Sequence, residues 1–340
     1  MNKISSGQMT VLLLLSNAFM LMCVSAPIGM ESMLGAVFSF VLQMILCIPM
    51  LLLYHKGFSL SAYCKQKHYR IPAMLVFYLI SRGGISFLLL WNGSENLSLP
   101  FSQPLIAAGM IVLVCLYTSA LGLRTTARAG TVSFGFLVFT LVILLLGAYQ
   151  HVDFQQLHLT AENTVWFSTL KILSLADTLP ALFILLSFSE KQKAHKALRF
   201  LALSLILWEI ILFLCITVLG SLLPTTEYPF FLLTAVSQPL STQRADAFYL
   251  IVFVMLCVIR LTLLTVLSAH LLGMMFPNLR CRNIIALVGM MLTAAVFSFV
   301  HFTGNLFDIL TIVFLACILP LIFCIRLKKH PAWKEEEPSS

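Results

Sequence analysis

Three ionisable residues sit where ionisable residues are costly. Arg82, Asp177 and Arg260 each lie inside a run that is otherwise apolar or small: Ser81-Arg82-Gly83-Gly84, Ser174-Leu175-Ala176-Asp177-Thr178-Leu179-Pro180 and Val258-Ile259-Arg260-Leu261-Thr262. An arginine held at the centre of a membrane helix costs roughly 2.5–3.5 kcal/mol on insertion scales. Such a group must face protein, water or a ligand. Two chemistries fit it. The planar guanidinium matches a carboxylate through two parallel hydrogen bonds, which suits recognition of a ligand carboxylate or gating of an ion path. The same geometry equally suits an internal ion pair that holds a helix bundle together. Asp177 and Glu209 are the acids read as deep, so two positive charges face two negative ones. Asp177 is the stronger functional candidate because it adjoins Pro180, and a proline inside a helix removes a hydrogen bond and crowds the preceding turn. Glu209, in Leu207-Trp208-Glu209-Ile210, reads as a packing acid.

These residues require helices to carry them across a membrane. Hydrophobic residues make up 60% of the 340-residue chain and charged ones 10%, with a mean hydropathy of +0.99, outside the range of soluble domains. A spanning helix takes about 20 apolar residues. On that length the spans fall near 9–29, 33–54, 71–91, 103–122, 131–150, 165–188, 198–222, 246–273, 283–303 and 305–326. All but four of the 21 Lys and Arg (Arg82, Lys171, Arg244 and Arg260) lie at the N-terminus, in alternate connections or in the C-terminal tail. Basic residues near span ends stay on the cytoplasmic side. The pattern therefore predicts an all-α polytopic membrane protein of ten transmembrane helices with both termini cytoplasmic. Residues 1–327 form one transmembrane domain, and 328–340 a cytoplasmic tail.

Ten spans divide into two groups of five, 1–152 and 160–327. Because five is odd, the second group enters from the opposite side, the geometry of inverted-repeat transporters, whose sites lie near the midplane where helices are broken. The sixth span, around Asp177, is expected to be discontinuous. The first, through Ser16-Asn17-Ala18 and then Cys23 to Gly29 with Pro27, is a weaker candidate. Arg82 and Arg260 fall on the third and eighth spans, which are equivalents in this scheme. The expected ligand-lining set is Ser16, Asn17, Ala18, Arg82, Gly83, Gly84, Asp177, Thr178, Arg260 and Thr262. Gly83 and Gly84 permit close backbone approach, to a neighbouring helix or to a ligand.

Other chemistries are weak. Seven of the nine cysteines sit in apolar runs and act as small hydrophobes, with no disulfide or metal spacing. There is no phosphate loop or nucleophile motif, so neither an enzyme nor a cofactor is expected. The net charge of +8 follows from the cytoplasmic basic loops and does not point to nucleic acid. The apolar run from Met9 to Met30 exceeds a signal-peptide core, so the first span is expected to be retained.

Several short motifs, in order, resemble one family. They are Lys3-Ile4-Ser5-Ser6-Gly7-Gln8 before the first span, Gly122-Leu123-Arg124-Thr125-Thr126-Ala127-Arg128 after the fourth, and Glu227-Tyr228-Pro229 followed by Gln243-Arg244-Ala245-Asp246-Ala247-Phe248 before the eighth. The chain resembles the spore germination GerAB-type permeases of the amino acid–polyamine–organocation superfamily. It departs from their pattern with Asp177 and Asp246 in place of Glu, and with Asn17-Ala18-Phe19 where a glycine is usual. The resemblance implies a LeuT-like fold and the B subunit of a germinant receptor. Such a subunit senses a small nutrient, typically an amino acid, in the spore inner membrane. Its implied partners are an A subunit and a C-subunit lipoprotein. The alternatives are a secondary amino acid transporter coupled to Na⁺ or H⁺, and a non-transporting assembly scaffold.

Overall fold

A computed structural model describes residues 4–25, 28–65, 69–95, 104–157, 164–188, 198–237, 246–299 and 305–327, and these form helices with no strand among them. In chain order the α-helices are α1 (Ser6–Met22), α2 (Met30–His55), α3 (Leu60–Lys65), α4 (Arg70–Glu95), α5 (Pro104–Ala120), α6 (Leu123–Ala148), α7 (Val165–Ser174), α8 (Thr178–Leu185), α9 (Arg199–Leu214), α10 (Pro229–Val236), α11 (Asp246–Met275), α12 (Arg282–Phe299), α13 (Asn305–Val313) and α14 (Leu319–Arg326). Among the described residues six helical stretches are long and apolar enough to cross a membrane, and the bent pair α7–α8 makes a seventh. Ser6–Met22, Ile106–Ala120 and Arg282–Ser298 are shorter apolar helices.

The pattern along α2 shows what surrounds the bundle. Phe38, Val41, Ile45, Ile48 and Leu52 recur at helical spacing and are about half exposed, whereas Ser32, Gly35, Ala36, Ser39, Gln43 and Cys47 are buried. Apolar residues outside and small or polar residues inside are the reverse of a soluble helix, and fit one face in lipid and one in a close-packed bundle. A side chain on Gly35 would meet Ser168 Cβ at 2.8 Å, so this glycine lets α2 lie directly on α7.

Two of the quoted motifs have local structural jobs. Ser5 and Gln8 form a reciprocal capping box that starts α1: the Gln8 N–H donates to Ser5 Oγ and the Ser5 N–H to Gln8 Oε1, both at 3.2 Å. Gly122 has φ +86°, the left-handed conformation that favours glycine, and turns α5 into α6. Helix α6 consequently begins at Leu123, eight residues before the expected start at 131, and Arg124 and Arg128 lie on its first turns.

The first span is corrected in two ways. It is helical only from Ser6 to Met22, and Ser16, Asn17 and Ala18 are buried within an unbroken helix. The break expected at those residues is absent. The chain leaves the helix at Cys23, and Pro27 lies outside the described residues. The sixth span does break. Helix α7 ends at Ser174, α8 starts at Thr178, and the two are bent by 43°. Two further spans carry irregular turns that the hydropathy pattern does not reveal, a π-helix at Cys215–Leu219 after α9 and another at Phe314–Ile318 between α13 and α14.

Candidate functional site

The break in the sixth span puts Asp177 between α7 and α8. Residues Leu175 and Ala176 close the last turn of α7 through hydrogen bonds to Ile172 and Leu173, and Asp177 stands at the head of α8. Its side chain is not used to cap α8. It points instead to Arg260 on α11, and the two form a two-armed salt bridge, Arg260 Nη1 to Asp177 Oδ1 at 3.3 Å and Nη2 to Oδ2. Both side chains are almost fully buried, at 1% and 2% exposure.

Arg260 has further partners on two other helices. Nη1 donates to the Ser16 carbonyl oxygen at 3.1 Å and to Ser16 Oγ at 2.9 Å on α1, and Nε donates to Ser86 Oγ at 2.7 Å on α4. Its guanidinium carbon lies 5.9 Å from the centre of the Phe19 ring. One side chain thus ties α1, α4, α8 and α11 together at a single point. In a medium of low dielectric a charge costs several kcal/mol unless it is paired and hydrogen-bonded, and here both conditions are met.

Arg82 makes a second pair. Its Nη2 lies 2.9 Å from Asp308 Oδ1 on α13, and its guanidinium stacks 5.3 Å from the Tyr78 ring. This pair is less enclosed: the Asp308 side chain is 21% exposed against 5% for Arg82. It sits beside a cavity of about 940 Å³ lined by residues including Phe77, Ile85, Leu310 and Phe314. Ser86 joins the two pairs, because its hydroxyl accepts from Arg260 and donates to the Arg82 carbonyl at 2.7 Å.

Of the expected residues, the structure therefore brings Ser16, Arg260 and Asp177 into one cluster, with Asn17, Ala18 and Thr178 buried beside them in sequence. Thr178 Oγ1 is buried with no hydrogen-bond partner. Others are drawn elsewhere. A side chain at Gly83 would meet Met290 Sδ at 2.3 Å, and one at Gly84 would meet Thr293 Oγ1 at 2.2 Å and the Ala294 nitrogen at 2.8 Å. These glycines seat α4 against α12. Thr262 shares a hydrogen bond of 2.8 Å with Thr118 on α5, away from the arginine. Arg82 faces Asp308 and not Glu209, which lies on α9 outside both pairs.

Two participants escape the sequence reading. Asp308 lies in the first turn of α13, where an acid looks like an ordinary residue at a span end. Ser86 is four residues after Arg82, on the same helical face, and that spacing was its available signal. Lys171, an exception to the charge pattern, donates to the Ser25 carbonyl at 2.5 Å and so fastens α7 to the segment after α1. Arg244 lies outside the described residues.

No protein-family model matches the chain, and no curated protein matches its sequence. A solved structure does. The chain resembles MHP1, a nucleobase-cation-symport-1 family transporter in a closed conformation with bromovinylhydantoin bound. The TM-score is 0.64 over 99% of this chain and 82% of that one, at 12% sequence identity. At that identity the likeness is one of fold: the chain shares the fold of that structure. With its apolar helices, the chain is a multi-pass membrane protein of transporter-like architecture.

Proposed function

We propose that this chain binds a small zwitterionic nutrient, such as an amino acid, by inserting it into the Arg260–Asp177 pair. The observation that carries this reading is the pair itself, a buried two-armed bridge at the break of the sixth span. A zwitterion has the charges needed to part it without leaving either half bare. Its carboxylate would take the arginine fork, its ammonium would take Asp177, and the site would stay neutral throughout. Arg260 would keep its bonds to Ser16 and Ser86 while exchanging one carboxylate for another. Thr178, whose hydroxyl is buried without a partner, would hydrogen-bond the ligand at the head of α8.

We further propose ten spans in a five-plus-five inverted arrangement with both termini cytoplasmic, halves at 1–152 and 160–327, and a tail at 328–340. Each expected span is matched by an apolar helix or a bent helix pair, which supports the count. In this reading the protein is the B subunit of a spore germinant receptor in the spore inner membrane. It acts with an A subunit and a C-subunit lipoprotein, and ligand binding shifts a population of conformers that those partners read. The family resemblance of the short motifs supports the receptor role. A secondary amino acid transporter is the second reading, favoured by the likeness to a symporter fold.

A ligand panel tests the binding reading. Zwitterionic amino acids should raise the thermal unfolding temperature of the purified chain, whereas their amides (no carboxylate) and hydroxy-acid analogues (no ammonium) should not. Equal shifts with the amides would sink it. Labelled uptake into vesicles holding only this chain would favour the transporter. A response that needs the two partner subunits would favour the receptor.

A further inference from the structure

The turn from α5 to α6 and the turn from α11 to α12 meet at one end of the bundle. Between them lies a cavity of about 690 Å³, whose lining includes Ser119 and Gly122 at the end of α5, His270 on α11, and Arg280, Arg282 and Asn283 where α12 begins. No described Asp or Glu lines it. Arg280 and Arg282 have no carboxylate partner among the described residues. We propose that this cavity binds the phosphodiester headgroup of an anionic membrane lipid, whose chains lie along the outside of α5 and α12. The site is separate from the Arg260–Asp177 pair and does not rest on the zwitterion reading.

Part of the charge is fixed before any ligand arrives. Arg282 Nε donates to the Leu279 carbonyl at 2.7 Å, and Nη2 donates to the Pro277 carbonyl. A side chain on Gly273 would meet Arg282 Nη1 at 2.2 Å, so the guanidinium lies directly against α11. Its acceptors are neutral carbonyls, which leave the positive charge uncompensated. A guanidinium already held in place loses little side-chain freedom on meeting an anion. Arg280 is exposed and lines the same cavity. Two guanidiniums and the Asn283 amide match the oxygens of a phosphodiester, an anion that arginine binds through paired hydrogen bonds.

Position favours a lipid as the source of that anion. Both turns lie at helix ends, where basic pockets between spans meet headgroups. They are also two of the connections that the topology proposed above makes cytoplasmic, the side whose leaflet carries anionic lipid. Leu113, Tyr117 and Leu121 on α5, and Ile284, Val288 and Leu292 on α12, recur every four residues and are exposed. Both helices pack on α11 and on each other. One lipid can therefore touch charge at the turns and apolar surface beside them, whereas a free phosphate would use only the charge.

The test titrates lipids into the purified full chain in neutral detergent and follows thermal unfolding. Phosphatidylglycerol should raise the midpoint by about 5 °C near saturation, and phosphatidylcholine should not. Arg280→Glu should raise the phosphatidylglycerol concentration needed by about tenfold. Should Arg280→Glu not fold, Arg280→Gln serves, with a smaller loss expected. Arg124→Gln combined with Arg128→Gln, at exposed positions on α6 outside the cavity lining, should keep the wild-type response. Equal shifts with the two lipids, or an undiminished response in both Arg280 variants, would overturn the site. A loss as large in the α6 variant would mean diffuse attraction of basic surface to anionic lipid, and would overturn it too. The same shift with glycerol phosphate or inorganic phosphate alone would assign the cavity to a free phosphate and overturn the lipid.

Discussion

Two arginine–aspartate pairs share α4 as a neighbour, and they differ in everything except chemistry. Arg260 and Asp177 are sealed, two-armed and hydrogen-bonded from four helices. Arg82 and Asp308 meet through one arm at the wall of a large apolar cavity, with the aspartate partly exposed. The contrast shows that two buried arginines in membrane spans are paired in different ways. What distinguishes the first pair is its position at a helix break, next to Thr178, whose buried hydroxyl has no hydrogen-bond partner. The second pair joins two regular stretches of helix, α4 and α13.

The sharpest way to break this comparison is to strand one charge in each pair. Asp177→Ala leaves Arg260 sealed without its carboxylate and should cost about 3–5 kcal/mol, read as the largest fall in midpoint of the set. Asp308→Ala leaves Arg82 at the wall of that cavity with its Tyr78 contact intact, and should cost about 1–2 kcal/mol. Equal losses would erase the distinction between the pairs. Ser86→Ala removes the acceptor for Arg260 Nε and the donor to the Arg82 carbonyl, so about 1–2 kcal/mol is expected. Combined with Asp177→Ala it should be non-additive, since both act on Arg260, while combined with Asp308→Ala it should be nearly additive. Thr262→Val loses one shared hydrogen bond with Thr118 and should cost below about 1 kcal/mol, with ligand response intact.

Much of this arrangement was legible in the sequence. The apolar helices follow from apolar length, and the break at Asp177 follows from an acid and a proline in one apolar run. That both arginines are buried follows from the cost of exposing them to lipid. What could not be read was partnership. Arg82 and Asp308 lie on segments distant in sequence, and periodicity does not say which faces meet. The same holds for Gly83 and Gly84: sequence says that something approaches closely, and the fold shows α12 there. The first span misled because Ser16-Asn17-Ala18 reads as a weak point, whereas in the fold Ser16 contributes its carbonyl and hydroxyl to Arg260 from an intact helix. Small polar residues in a membrane helix mark an interior face as readily as a break.

The measurement that bears most directly on the central claim is the amino acid-induced thermal shift in two matched variants, Asp177→Asn and Asp308→Asn. Each keeps the shape of the side chain and removes its charge. The account predicts that Asp308→Asn retains the wild-type shift and Asp177→Asn loses it. A shift that survives in Asp177→Asn, or is lost in Asp308→Asn alone, would contradict the assignment of the site to the Arg260–Asp177 pair.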